Sequence, residues 1–145
     1  MTFGDLLALR WEEAAREVGF RPSDIEVTWA IGQYPHFKTK RGYGVTFHER
    51  GPTCQLLFAE KILSAPQERA DGVVRHEIGH VLDLTIPAPR LDSWAAQRGY
   101  RLPHTDERRA DAIAEAVWRH PISYDRDLVQ STGPGHYPRP LHLGL

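Results

Sequence analysis

Residues 73–84 of this 145-residue chain set the strongest constraint on its fold. They contain the run His76-Glu77-Ile78-Gly79-His80, with two histidines four apart and a glutamate beside the first. On an α-helix, residues four apart lie one turn apart on one face. Val74, Ile78 and Val81 fall on the neighbouring face, so the spacing predicts a helix over about 65–84 with its imidazoles at the edge of the core. Two imidazoles so placed can bind one metal ion from the same side, and Glu77 can reach a water on that ion without replacing it. Such a centre is incomplete, because a catalytic zinc site takes three protein ligands and keeps one open position. A second element must therefore pack against this helix and bring the third ligand. Gly79 costs about 1 kcal/mol in a helix interior, a loss that close approach of that second element would explain.

The segment Glu107-Arg108-Arg109-Ala110-Asp111 is the best source of that ligand. Glu107 and Asp111 share a helical face, and Ala110 between them is small enough to admit a neighbouring helix. A Glu107 carboxylate could complete the metal set, with Asp111 accepting the free N–H of a ligand histidine and so fixing its tautomer and orientation. Taken singly, Glu107 also fits an acid favoured by the dipole of a helix first turn, and Asp111 also fits a partner of Arg108. Asp83 opposes the dipole in the last turn of its helix; it suits an acceptor for His80 or an ion-pair partner of Arg90 or Arg101. Glu115 faces Arg119 at four residues' distance.

The rest of the chain gives an α+β layout. Thr2 caps an amphipathic helix over 3–18 that Gly19 stops. Ile25, Val27, Trp29 and Ile31 alternate with small or polar residues, as do Tyr43, Val45 and Phe47, and 54–58 is a short apolar run. The connections are too short for helical crossovers, so these three strands are expected to form a small, mostly antiparallel sheet. Ser64-Ala65-Pro66-Gln67 fits a capping box for the histidine-bearing helix. A short helix is expected over 92–98, closed by Gly99, and a last one over 106–119, capped by Thr105. The stretch 32–42 is polar and basic and reads as a mobile connection. Residues 1–129 form one domain, and the Pro- and Gly-rich 130–145 reads as a tail.

Composition narrows the function classes. Eighteen basic residues against 19 acidic give a net charge of −1, with no global field to hold nucleic acid or an anionic membrane. One cysteine, Cys54, excludes an intrachain disulfide. No apolar run approaches the roughly 20 residues of a membrane span, and the N-terminal segment has acids where a signal peptide needs an apolar run. The chain is therefore expected to be cytoplasmic. Eight histidines against three lysines are the one departure from ordinary composition. His36, His48, His120, His136 and His142 have no partner pattern and read as incidental.

His76-Glu77-x-x-His80 followed by Glu107-x-x-Ala110-Asp111 resembles the gluzincin metallopeptidases. The likeness spans about residues 53–118 by motif and order: strand, HExxH helix, connector, glutamate helix. It implies a minimal zincin-like fold with Zn2+ held by His76, His80 and Glu107, Glu77 as general base, and Asp111 as the partner of His76. It implies hydrolysis of peptide bonds, with a peptide or protein substrate added to an edge strand near residues 54–60. An oxyanion-stabilising group is also expected; His104 leads, ahead of Tyr100 and Tyr124, because it directly precedes the glutamate helix. The extended metzincin pattern does not fit, since the required Gly and His positions are Asp83 and Ile86. The alternative is a zincin-fold binding or regulatory protein that holds zinc but has little or no proteolytic activity. A DNA-associated protease fits less well, because the charge is balanced and only 36–41 is basic.

Overall fold

The computed structural model describes residues 1–34 and 42–122. The expected basic connection, the 130–145 tail, Tyr124, His36, His136 and His142 lie wholly or largely outside the described residues. Four helices and a three-stranded mixed sheet make up the described chain: α1 (Phe3–Val18), β1 (Glu26–Gly32), β2 (Gly44–His48), β3 (Thr53–Ala59), α2 (Gln67–Thr85), α3 (Ala88–Gln97) and α4 (Asp106–Trp118). No helix among the described residues is long and apolar enough to cross a membrane.

Helix α1 follows its local code. The Thr2 hydroxyl accepts the Asp5 N–H at 3.1 Å and the Asp5 carboxylate accepts the Thr2 N–H at 3.1 Å, a complete capping box. Gly19, at φ 93°, ends the helix in the left-handed region that favours glycine. The helix buries Leu6, Leu7, Ala14 and Ala15, and Phe3 meets the Phe58 ring edge-on at 4.8 Å between centroids.

The sheet departs from the expected antiparallel order. The strands lie β1-β3-β2, with β3 antiparallel to β2 (Gly44 opposite Phe58, His48 opposite Cys54) but parallel to β1 (Glu26 opposite Thr53, Gly32 opposite Ala59). The chain leaves β1 and enters β2 at the same end of β3, with the two strands on opposite sides of it. Two reversals of direction then leave β3 parallel to β1, and β2 itself serves as the crossover. A parallel pair thus forms without a crossover helix. Gly51, at φ 53°, makes the β2–β3 turn, and His48 Nε2 donates to the Gly51 carbonyl at 2.6 Å. That bond gives one of the incidental histidines a structural role.

Cys54, Leu56 and Phe58 on one face of β3 are all fully buried. They join Leu6 and Leu7 of α1, Val74, Ile78, Val81 and Leu82 of α2, and Ile113 and Val117 of α4 in one core. The capping box expected at Ser64 does not form. The Ser64 hydroxyl donates to the Lys61 carbonyl at 3.2 Å inside a 3-10 turn over Glu60–Ser64, and α2 starts after Pro66 with no side-chain cap. Helix α3 begins four residues earlier than the expected 92–98, because Pro87 and Pro89, which cannot extend α2, are tolerated in the first turn of a new helix.

Candidate metal centre

Helices α2 and α4 pack side by side, and Gly79 makes the fit possible. A Cβ at Gly79 would overlap the backbone carbonyl of Ala110, so any larger residue would push α4 away. The close approach brings the α4 carboxylates to the α2 imidazoles. His76 Nε2 lies 3.0 Å from Glu107 Oε2, His80 Nε2 lies 3.1 Å from Glu107 Oε1, and the two Nε2 atoms are 3.1 Å apart. On the far side of its ring, His76 Nδ1 is 2.7 Å from Asp111 Oδ1.

These contacts describe a set of converging donor atoms. When His76 donates its Nδ1–H in a hydrogen bond to Asp111, its Nε2 carries a lone pair aimed at the space shared with Glu107 and His80. His76, His80 and Glu107 are all buried, and one ligand atom from each lies within 4.8 Å of the other two. A tetrahedral ion with bonds of about 2.0–2.1 Å needs donors about 3.3–3.4 Å apart, close to the 3.0–3.1 Å found. Buried Glu107 Oε1 has no hydrogen-bond partner that satisfies it. The group can hold a metal ion, and the sequence-predicted triad is the one that assembles.

Electrostatics point the same way. Burial opposes a charge on His76, but Asp111 and Glu107 outweigh it and raise its pKa well above the ordinary imidazole value. His80 is raised as well: burial lowers it, and Glu107 more than compensates. Glu107 falls well below the carboxylate range, because His80 and His76 overcome its own burial. The carboxylates of Glu107 and Asp111 thus favour positive charge at His76, and that of Glu107 favours it at His80, a field that a bound cation would also meet.

Glu77 is fully buried beside the triad. Burial pushes its pKa up, while His76, His80 and a hydrogen bond from Thr46 pull it down. The Thr46 hydroxyl donates to Glu77 Oε1 at 2.6 Å. Oε2, without a hydrogen bond, lies 3.9 Å from His76 Nε2. Comparisons with protein-family models, with curated proteins and with solved structures give no match.

Several expected roles change. Asp83 takes neither His80 nor Arg90 nor Arg101. It accepts Arg109 Nε at 2.6 Å, and the same guanidinium reaches Asp92 at 2.9 Å. This buried arginine of α4 ties the end of α2 to α3. His104 is exposed on the loop before α4 and is not part of the cluster; Tyr100 is half-buried against the core. The strand near 54–60 is not an edge, since β3 is bonded on both sides. The outer strands are β1 and β2, and β2 is the one against Glu77. Thr46 was missed because Tyr43, Val45 and Phe47 mark the apolar positions of β2 and assign Thr46 to solvent. In the fold both Val45 and Thr46 are fully buried.

Proposed function

We propose that this chain is a zinc-dependent, gluzincin-like metallopeptidase with a minimal zincin-like fold. The observation that carries the reading is the convergence of His76, His80 and Glu107 with Glu77 Oε2 held beside them. A set of two imidazoles and a carboxylate is the His2Glu set of catalytic zinc sites. Zinc in such a site supplies Lewis acidity, polarising a carbonyl and lowering the pKa of a water to about 7. His76 and His80 hold their donor nitrogens in place, the first through Asp111. Glu77 Oε2 takes the proton of the attacking water and delivers it to the leaving amine. The outer edge of β2 beside Glu77 replaces residues 54–60 as the strand to which a substrate peptide adds by main-chain hydrogen bonds.

A second reading, a zinc-holding binding or regulatory protein of the same fold, is favoured by the burial of the site. His76 and Glu77 are 0% exposed, and a polypeptide must reach them to be cut. Digestion of a broad peptide library by the zinc-loaded wild type and by Glu77→Gln separates the two. The peptidase reading expects cleavage by the wild type and a loss of at least about 100-fold in Glu77→Gln, the size of a general-base contribution, with zinc retained in both. Zinc retention without any Glu77-dependent cleavage supports the binder.

A further inference from the structure

A carboxylate that acts as a base must present one oxygen to the reacting water in a fixed direction, yet the terminal torsion of a glutamate is broad and intrinsically two-fold. Something other than the rotamer must orient Glu77. On the structure that something is strand β2. Thr46 faces α2 from the middle of the strand, opposite Leu56 of β3, and is fully buried. Its hydroxyl has one proton. Glu77 Oε1 stands at 2.6 Å and the Glu77 carbonyl at 3.4 Å, so the proton goes to the carboxylate.

The two oxygens of Glu77 are thereby distinguished. Oε1 is bound by the strand, while Oε2 is buried without a hydrogen bond and faces the imidazole of His76. Two residues earlier, Gly44 lets the same strand lie along the stem of the side chain: a Cβ there would come within 3.2 Å of Glu77 Cγ. A threonine suits this task because its branched Cβ holds few χ1 rotamers.

Resting on the reading of Glu77 as the base, we propose that Thr46 is a positioning residue that binds Glu77 Oε1 and so dedicates Oε2 to the reacting water. The outer strand β2 then has two duties: its edge receives the substrate peptide and its inner face aims the base. Chain alignment and proton transfer are set by one element.

The test replaces Thr46 with Val, which keeps the shape and removes the hydroxyl, and with Ser, which keeps the hydroxyl. The full chain is labelled with 13C at the glutamate carboxyls, and the Glu77 signal is the one missing from Glu77→Gln. In zinc-loaded protein, Thr46→Val is expected to move that signal and Thr46→Ser to leave it near its wild-type position, with the zinc content unchanged in both. Against a cleaved peptide, Thr46→Val is expected to lower kcat about 10- to 100-fold, the usual range for a residue supporting a ligand or base, with KM within about twofold, and Thr46→Ser to restore most of it. If Thr46→Val does not fold, Thr46→Ala carries the same expectations. A Glu77 signal that stays in place in a folded variant lacking the hydroxyl overturns the proposal, as does a kcat equal to wild type. If no peptide is cleaved by the wild type, the peptidase reading fails, and the carboxyl signal alone decides whether Thr46 holds Glu77.

Discussion

Helices α1 and α2 cover the same sheet face but obey different rules. Helix α1 has a complete capping box, a glycine stop and one buried stripe. Helix α2 has no side-chain cap, two glycines (Gly72 and Gly79) in its interior, and every residue from Gly72 to Leu82 buried, Arg75, His76, Glu77 and His80 among them. Burying such groups is costly unless each finds a partner. Local conflicts of this kind collect at functional sites, where tertiary contacts must compensate for them. The contrast between the helices falls at the residues that could hold a metal ion.

The largest effect expected from breaking the contrast is at two of the helical glycines, Gly79 of α2 and Gly4 of α1. In a bare helix Gly→Ala stabilises by about 1 kcal/mol. At Gly79 the sign reverses, because the new methyl meets the Ala110 backbone. Gly79→Ala is expected to lose about 2–3 kcal/mol by urea unfolding, in the range of core overpacking, and to weaken metal binding as α4 shifts. At Gly4 of α1 the new methyl meets the Trp29 ring at 3.0 Å and the Thr2 hydroxyl at 3.9 Å, and Trp29 is 43% exposed. Gly4→Ala is expected to stay within about 0.5 kcal/mol of wild type, the usual span of surface changes. Equal effects at the two sites would remove the distinction.

Asp111→Asn comes next. It keeps the shape and removes the charge that orients His76, so zinc affinity by competition with a chelator is expected to fall about 10- to 100-fold. The fold should persist. An unchanged affinity would show that Asp111 does not support the site.

Thr2→Ala is smaller and confined to α1. Loss of the cap is expected to cost about 1 kcal/mol, seen as a fall in Tm of roughly 3 °C, with zinc affinity unaltered. A change in affinity would mean that α1 is coupled to the centre.

The smallest effect concerns the sheet face both helices seal. Burial pushes the Cys54 thiol up to about 12, against about 8.5 in an unfolded chain. The folded state thus holds this proton more tightly. Its contribution to stability is complete below about pH 8.5 and is lost as pH rises toward 12. At pH 8.5 iodoacetamide should label Cys54 slowly in the native protein and fully in urea. Native labelling at the unfolded rate would show that the face is open.

What the sequence made legible follows from the range of the interactions. The residues of the triad rest on i,i+4 spacing within two helices, and that spacing is written locally; it left open which histidine Asp111 meets, and His76 as its partner was what the gluzincin resemblance implied. The limits of α1 are legible for the same reason, since Thr2, Asp5 and Gly19 act within a turn. The sheet order was not, because alternation in β1, β2 and β3 marks faces and says nothing of which strand lies between the other two. That non-local fact also places β3 in the middle of the sheet and β2 at its edge, so the proposed substrate would add to β2. Thr46 stayed hidden with it: only the β2–β3 register turns its hydroxyl toward Glu77. Asp83 was drawn to Arg109 by the same tertiary packing that joins α2 to α4, and His104 lies outside the cluster although it is only three residues before Glu107.

The central question is whether α2 and α4 together bind a metal. The direct measurement is zinc per chain by mass spectrometry of the metal in the purified full chain and in Glu107→Ala, after equilibration with equal zinc. About one zinc per wild-type chain and a fall in affinity beyond 100-fold in Glu107→Ala, more than a supporting residue accounts for, is the result expected. A wild type that takes up no zinc, or a folded Glu107→Ala with undiminished affinity, would contradict it.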